Sequence, residues 1–249
     1  MLKKTFSLLK KNPKLILYYI IFIVINILLA VGVTGVIKPE KIDAGALNQV
    51  AGMWIILAVI SIIFMAGFGC MLASAVKTCK CTNKDFVYGL KNEIGKMILS
   101  FLLILIFVLG FAIILIMITV PFTMAASVGV SDEFVYSLVM ITAIGLMTLF
   151  LYPLFMLWYP AMFIDDVKVM EGLRRGARTS KKCYWTLVLA VFITVIPSLT
   201  YSLITVFTST AQVLSAGYWV FMLVNIIFSF ILLVFTFVIY KEKNDVSQQ

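Results

Sequence analysis

Side chains that make or break bonds are scarce in this sequence. Histidine is absent, and with it the commonest general base, proton shuttle and metal ligand. Cys79-x-Cys81 and Cys183 are of the type that binds a soft metal. No fourth cysteine lies nearby and there is no imidazole, so they read as free thiols. Asp165-Asp166 is placed to cap a following helix, where carboxylates accept from free N–H groups. Asp132-Glu133 reads as a solvated turn. No Gly-rich phosphate loop and no Ser/Lys dyad occurs. Proton transfer needs groups of suitable pKa inside a site. The sequence therefore predicts a protein that is not an enzyme, with no metal and no cofactor.

What remains is the chemistry of recognition. Thr194, Ser198, Tyr201, Thr205 and Thr208 follow one another at spacings of 4, 3, 4 and 3, which puts five hydroxyls on one helix stripe. Such a stripe lines a groove for a substrate headgroup, or bonds neighbouring helices; both readings stand. Pro197 beside it frees a backbone carbonyl. Lys168, Arg174, Arg175, Arg178, Lys181 and Lys182 surround an apolar stripe of Met170, Leu173 and Ala177 in a helix over Val167–Lys182. Phe86–Lys96 and Thr5–Lys11 have the same character. Such helices lie in a membrane interface and meet anionic lipid or a protein partner. Pro153 and Pro160, seven residues apart, mark a hinge in one apolar run, and Pro197 marks another. Asn26 and Asn225 read as interhelical contacts, and Gly69-xxx-Ala73 as a close helix approach.

The elements that carry these residues follow from composition. The 249 residues are 63% hydrophobic and 12% charged, with a mean hydropathy of +1.13. Soluble domains are roughly 45–50% apolar and about 25% charged, so the excess must face lipid. About 20 apolar residues cross a bilayer as helix. Six runs qualify: Leu15–Val36, Val50–Val76, Met97–Val120, Phe134–Ile164, Tyr184–Phe207 and Val213–Tyr240. The first is too long for a signal peptide core. The expected fold is an all-α integral membrane protein of six spans, one domain over residues 1–249.

Lysine and arginine orient it. Five precede the first span, five sit in the second connection, six in the fourth and two in the tail. Only Lys38 and Lys41 fall on the other side. The positive-inside rule puts both termini in the cytoplasm. The net charge of +9 is thus a topology signal rather than a nucleic-acid signature.

The order of elements recurs. Leu9-Lys10-Lys11, Leu90-Lys91-Asn92 and Leu173-Arg174-Arg175 lie 81 and 83 residues apart. They divide the chain into candidate repeats 1–80, 81–163 and 164–249, each a basic segment followed by a helical hairpin. Parallel repeats of this kind occur in transporters.

The run Tyr159-Pro160-Ala161-Met162-Phe163-Ile164-Asp165-Asp166, then Glu171-Gly172-Leu173-Arg174-Arg175-Gly176-Ala177-Arg178, then Trp185, resembles a known pattern. It is similar to six-span bacterial membrane proteins related to the membrane domain of glycerophosphodiester phosphodiesterases. Gly176-Ala177 stands where that pattern usually carries a Ser. The resemblance implies a six-span fold in a bacterial cytoplasmic membrane. It implies no catalytic residue, because the phosphodiesterase part of such proteins is a separate soluble domain. The expected function is to bind or move a lipid or other amphipathic molecule, alone or within a transport complex. The alternative is a scaffold, regulatory or immunity protein that acts through a protein partner on its cytoplasmic face.

Overall fold

The computed structural model describes residues 1–36, 44–125, 145, 151–194 and 216–245. These residues form helices and connections, with no strand among them. The helices are α1 (Leu2–Lys11), α2 (Pro13–Val36), α3 (Ala44–Thr78), α4 (Asn83–Asn92), α5 (Ile94–Ala125), α6 (Tyr152–Phe155), α7 (Trp158–Ile164), α8 (Val169–Lys182), α9 (Tyr184–Thr194) and α10 (Ala216–Asp245). The chain divides into two compact units, Met1–Phe101 and Leu102–Gln249.

Among the described residues three helices are long and apolar enough to cross a membrane: Trp54–Thr78 in α3, Ile94–Ile114 in α5 and Val220–Asn244 in α10. A fourth candidate pairs α1 with Pro13–Leu29 of α2 across a bend of 88°. Large apolar side chains stand exposed along them, including Leu28 on α2, Ile106 and Met117 on α5, and Val220 on α10. A water-facing helix would put polar residues there. Much of the expected fourth span and the second half of the fifth lie outside the described residues.

In the first unit, Pro13 ends α1. Pro disfavours helical geometry in the residue before it and is preorganised for the first turn of a helix. Asn12 takes φ −128° and turns the chain. Its side chain is 4% exposed. The Nδ2 group donates to Leu8 O (3.0 Å) and Cys79 O (3.2 Å), and Oδ1 accepts from the Cys81 N–H (2.9 Å). One amide thereby ties the α1–α2 elbow to the turn after α3. That turn holds Cys79 at φ +60°, a left-handed position that closes a helix end.

The expected helix over Phe86–Lys96 is instead two. Thr82 and Asp85 start α4 early, with the Asp85 carboxylate accepting from the Thr82 N–H (2.6 Å) and Oγ1 (2.9 Å). Glu93 then breaks it, leaving the helix and pairing with Lys96 (3.0 Å). The α4 helix lies against α3 through Gly89, where an added Cβ would meet Ala66 O at 2.4 Å. Phe86 covers Gly67 and packs on Tyr18, ring centroids 4.7 Å apart. Phe22, Phe64 and Phe68 continue this aromatic cluster at 4.2 and 5.1 Å. Gly69 and Ala73 are buried as their spacing predicts.

In the second unit, the run toward Ile164 is broken where the prolines expect it. Pro153 opens α6, and Pro160 sits in the first turn of α7, where a missing N–H costs nothing. Met156 and Leu157 form the break between them. Beyond α7, a four-residue turn with Asp166 at φ +50° leads into α8. Asn26 and Thr194 spend hydroxyl or amide protons at home. Asn26 Nδ2 donates to Phe22 O (2.8 Å) and Thr194 Oγ1 to Val191 O (2.8 Å), each within its own helix.

Candidate functional site

The basic helix α8 and the elbow that follows it gather the recognition chemistry of the second unit. The buried face of α8 is Val169, Gly172, Gly176, Thr179 and Ser180. It is not the expected stripe of Met170, Leu173 and Ala177. Met170 is 59% exposed, while Leu173 and Ala177 are half-buried. The reason is distance. A Cβ on Gly176 would sit 2.7 Å from both Leu157 O and Trp158 N, and one on Gly172 3.1 Å from Met162 Cβ. Only the small-residue face allows α8 to reach the backbone of the α6–α7 segment. Trp158, 3% exposed, locks the pair by donating Nε1–H to Val169 O at 2.9 Å.

The expected cap is also replaced. The N-cap of α8 is Lys168, with no side-chain capping bond. Asp165 is engaged elsewhere. Its carboxylate accepts from Tyr240 OH (2.6 Å), Arg175 (3.2 Å) and Asn244 Nδ2 (3.4 Å). It therefore anchors α10 to the α7–α8 turn. Arg175 also donates Nε–H to Glu171 (2.9 Å). That hydrogen bond holds the Glu171 carboxyl below its ordinary range. Arg175 is thus committed within the fold. Lys168, Arg174, Arg178, Lys181 and Lys182 stand exposed.

At the α8–α9 elbow lies an open groove of about 540 Å³. It is lined by Leu154, Lys181, Lys182, Cys183, Tyr184, Trp185 and Thr186. Its lining thus combines two lysines with a leucine and two aromatic residues. Trp185 is 75% exposed, as an amphipathic ring at a membrane–water interface is. The arrangement can bind an anion joined to an apolar body. Lys181 and Lys182 were legible as basic residues. The groove itself was not, although the adjacency of Lys181-Lys182 to Tyr184-Trp185 is the signal that points to it. Ser198, Tyr201, Thr205, Thr208 and Pro197 lie outside the described residues.

Among the described residues no three His, Cys, Asp or Glu side chains gather at one point. Cys81 and Cys183 are buried. Burial pushes both thiols up, with the Asp85 carboxylate adding to the effect at Cys81. Cys79 is exposed. In detergent at neutral pH, a maleimide should modify Cys79 first, with Cys81 and Cys183 roughly tenfold slower or more, because the thiolate is the nucleophile. Peptide mapping of a labelling time course reads the order directly.

Among the described residues, apolar helices of spanning length and short basic helices folded onto apolar ones define the class: a helical membrane protein. The chain belongs to the DUF7847 family, described as a domain of unknown function, whose model matches residues 1–241. No curated protein and no solved structure matches the chain.

Proposed function

We propose that this chain is a non-catalytic, six-span protein of a bacterial cytoplasmic membrane, with both termini inside, that binds or moves a lipid or similar amphipathic molecule. Kinship to the phosphodiesterase-associated membrane domains belongs to the same proposal, on the run from Tyr159 to Arg178. The observation that supports it best is the elbow groove. Lys181 and Lys182 offer charge for a phosphate or carboxylate, and Leu154, Tyr184 and Trp185 offer apolar surface to its neighbour. The lysines occupy the last turn of α8, where the helix dipole favours cations.

Native mass spectrometry of protein released from gentle detergent tests this. The parent chain is expected to retain a defined lipid. Lys181→Glu with Lys182→Glu should lower retention about tenfold or more, since each basic group near an anionic surface is worth about 1 kcal/mol. Loss of retention on Thr194→Val with Ser198→Ala, and not on the lysine changes, would move the site to the hydroxyl stripe. A bare chain, or one holding a stoichiometric protein, would assign the scaffold role instead.

A further inference from the structure

The amino-terminal helix presents an exposed surface separate from the elbow groove. At about 100° per residue, the side chains of α1 sort into three arcs. Leu8, Leu9, Thr5 and Asn12 share one arc, and all four are buried in the first unit. Leu2 and Phe6 continue the apolar surface beyond it, yet they are 56% and 54% exposed. Lys3, Lys10, Ser7 and Lys11 follow, all exposed. The apolar arc, about 160° wide, is thus only partly covered by protein, and the bare flank borders directly on lysines.

The elbow decides what covers that flank. The α1 helix lies at 88° to α2, and the Asn12 amide fixes the bend against the turn after α3. If α2 crosses a membrane, α1 runs along its surface. A helix in that plane presents one edge to acyl chains and the next to phosphates. The order apolar flank then lysines around α1 matches that layering. Long lysine stems reach the headgroup level while the rings and methyls stay below it.

We infer that α1 is an in-plane membrane helix that inserts Leu2 and Phe6 among acyl chains and gathers anionic phospholipid through Lys3, Lys10 and Lys11. The test uses the full chain with Phe6→Trp, an exposed and conservative change. The protein is reconstituted into phosphatidylcholine vesicles with roughly a third phosphatidylglycerol. The emission added over the parent chain is followed with lipids brominated high on the acyl chain. Bromolipid should remove about half or more of the added emission, as expected for a side chain about 5–10 Å below the headgroups. Brominated phosphatidylglycerol should quench about twice as well as brominated phosphatidylcholine at the same fraction. Lys3→Gln with Lys10→Gln and Lys11→Gln should bring that ratio to about one while leaving the depth in place. Quenching by aqueous iodide instead of bromolipid would overturn the inference. So would protection from both, which would mean that a second copy or another protein covers the flank. Equal quenching by the two lipids in the parent charge background would overturn the anionic assignment.

Discussion

One methyl group added at Gly89 is expected to destabilise the protein by about 2 kcal/mol or more. The new Cβ in Gly89→Ala would lie 2.4 Å from Ala66 O and 2.8 Å from the Gly67 Cα. Both belong to the α3 backbone, which cannot rotate away as a side chain can. The α4 helix must lift, and Phe86 must leave its seat on Gly67 and Tyr18. Alanine's better helix propensity returns only about 1 kcal/mol. Gly176→Ala should behave alike, with Leu157 O and Trp158 N at 2.7 Å. Gly110→Ala is the control. Nothing lies within 4 Å of its Cβ position, so the propensity gain should appear alone as about 0.5–1 kcal/mol of stabilisation. Unfolding in mixed micelles, followed by circular dichroism, compares the three. Equal midpoints for Gly89→Ala and Gly110→Ala would show that α4 does not pack on α3 through this glycine.

Removing the Asp165 carboxylate is expected to cost about 3 kcal/mol. Asp165 is 12% exposed at its side chain, and Tyr240 is fully buried. In Asp165→Ala the hydroxyl of the buried Tyr240 loses its acceptor at 2.6 Å. The Arg175 contact adds little, because that guanidinium remains open to solvent. Tyr240→Phe removes donor and demand together, so it should cost less, about 1 kcal/mol. A double-mutant cycle between Asp165→Ala and Tyr240→Phe should therefore show clear coupling. Additive effects would mean that α10 is not held to the α7–α8 turn by this bond.

The glycines show how far one-dimensional reading reaches. Gly69 and Ala73 read as a close-packing pair because their spacing of four puts both on one face of α3, and both are buried. Gly89, Gly172 and Gly176 have no side chain for an apolar periodicity to register. They are the contact face itself. Periodicity ranks faces by apolarity, whereas packing at these helix ends is limited by how near two backbones come. Met170, apolar and on the expected inner stripe, is for that reason turned outward.

The two described turns also bear on the repeat. Each follows a helix leading out of an apolar run, each holds a left-handed non-glycine residue (Cys79 or Asp166), and each sends a basic helix back onto that run through glycine. The repeat spacing of 83 residues puts Gly89 in register with Gly172, while Asp165-Asp166 reads in the sequence as a helix cap. Local propensity favours that role. A partner 75 residues away, Tyr240, outcompetes it, and no local pattern carries such a pairing.

Class was determined by the sequence alone. Apolar runs of spanning length and a 63% hydrophobic composition point to lipid-facing helices, because about 20 consecutive apolar residues match the thickness of a bilayer. The basic character of the short helices was equally plain, because charge is a property of residue type. Which lysines border a groove, which arginine is spent on Asp165 and Glu171, and which face of α8 is buried were decided by tertiary structure. Those outcomes depend on distances between segments far apart in the chain, and a bond such as the 2.6 Å one from Tyr240 to Asp165 has no signature until the helices are folded together.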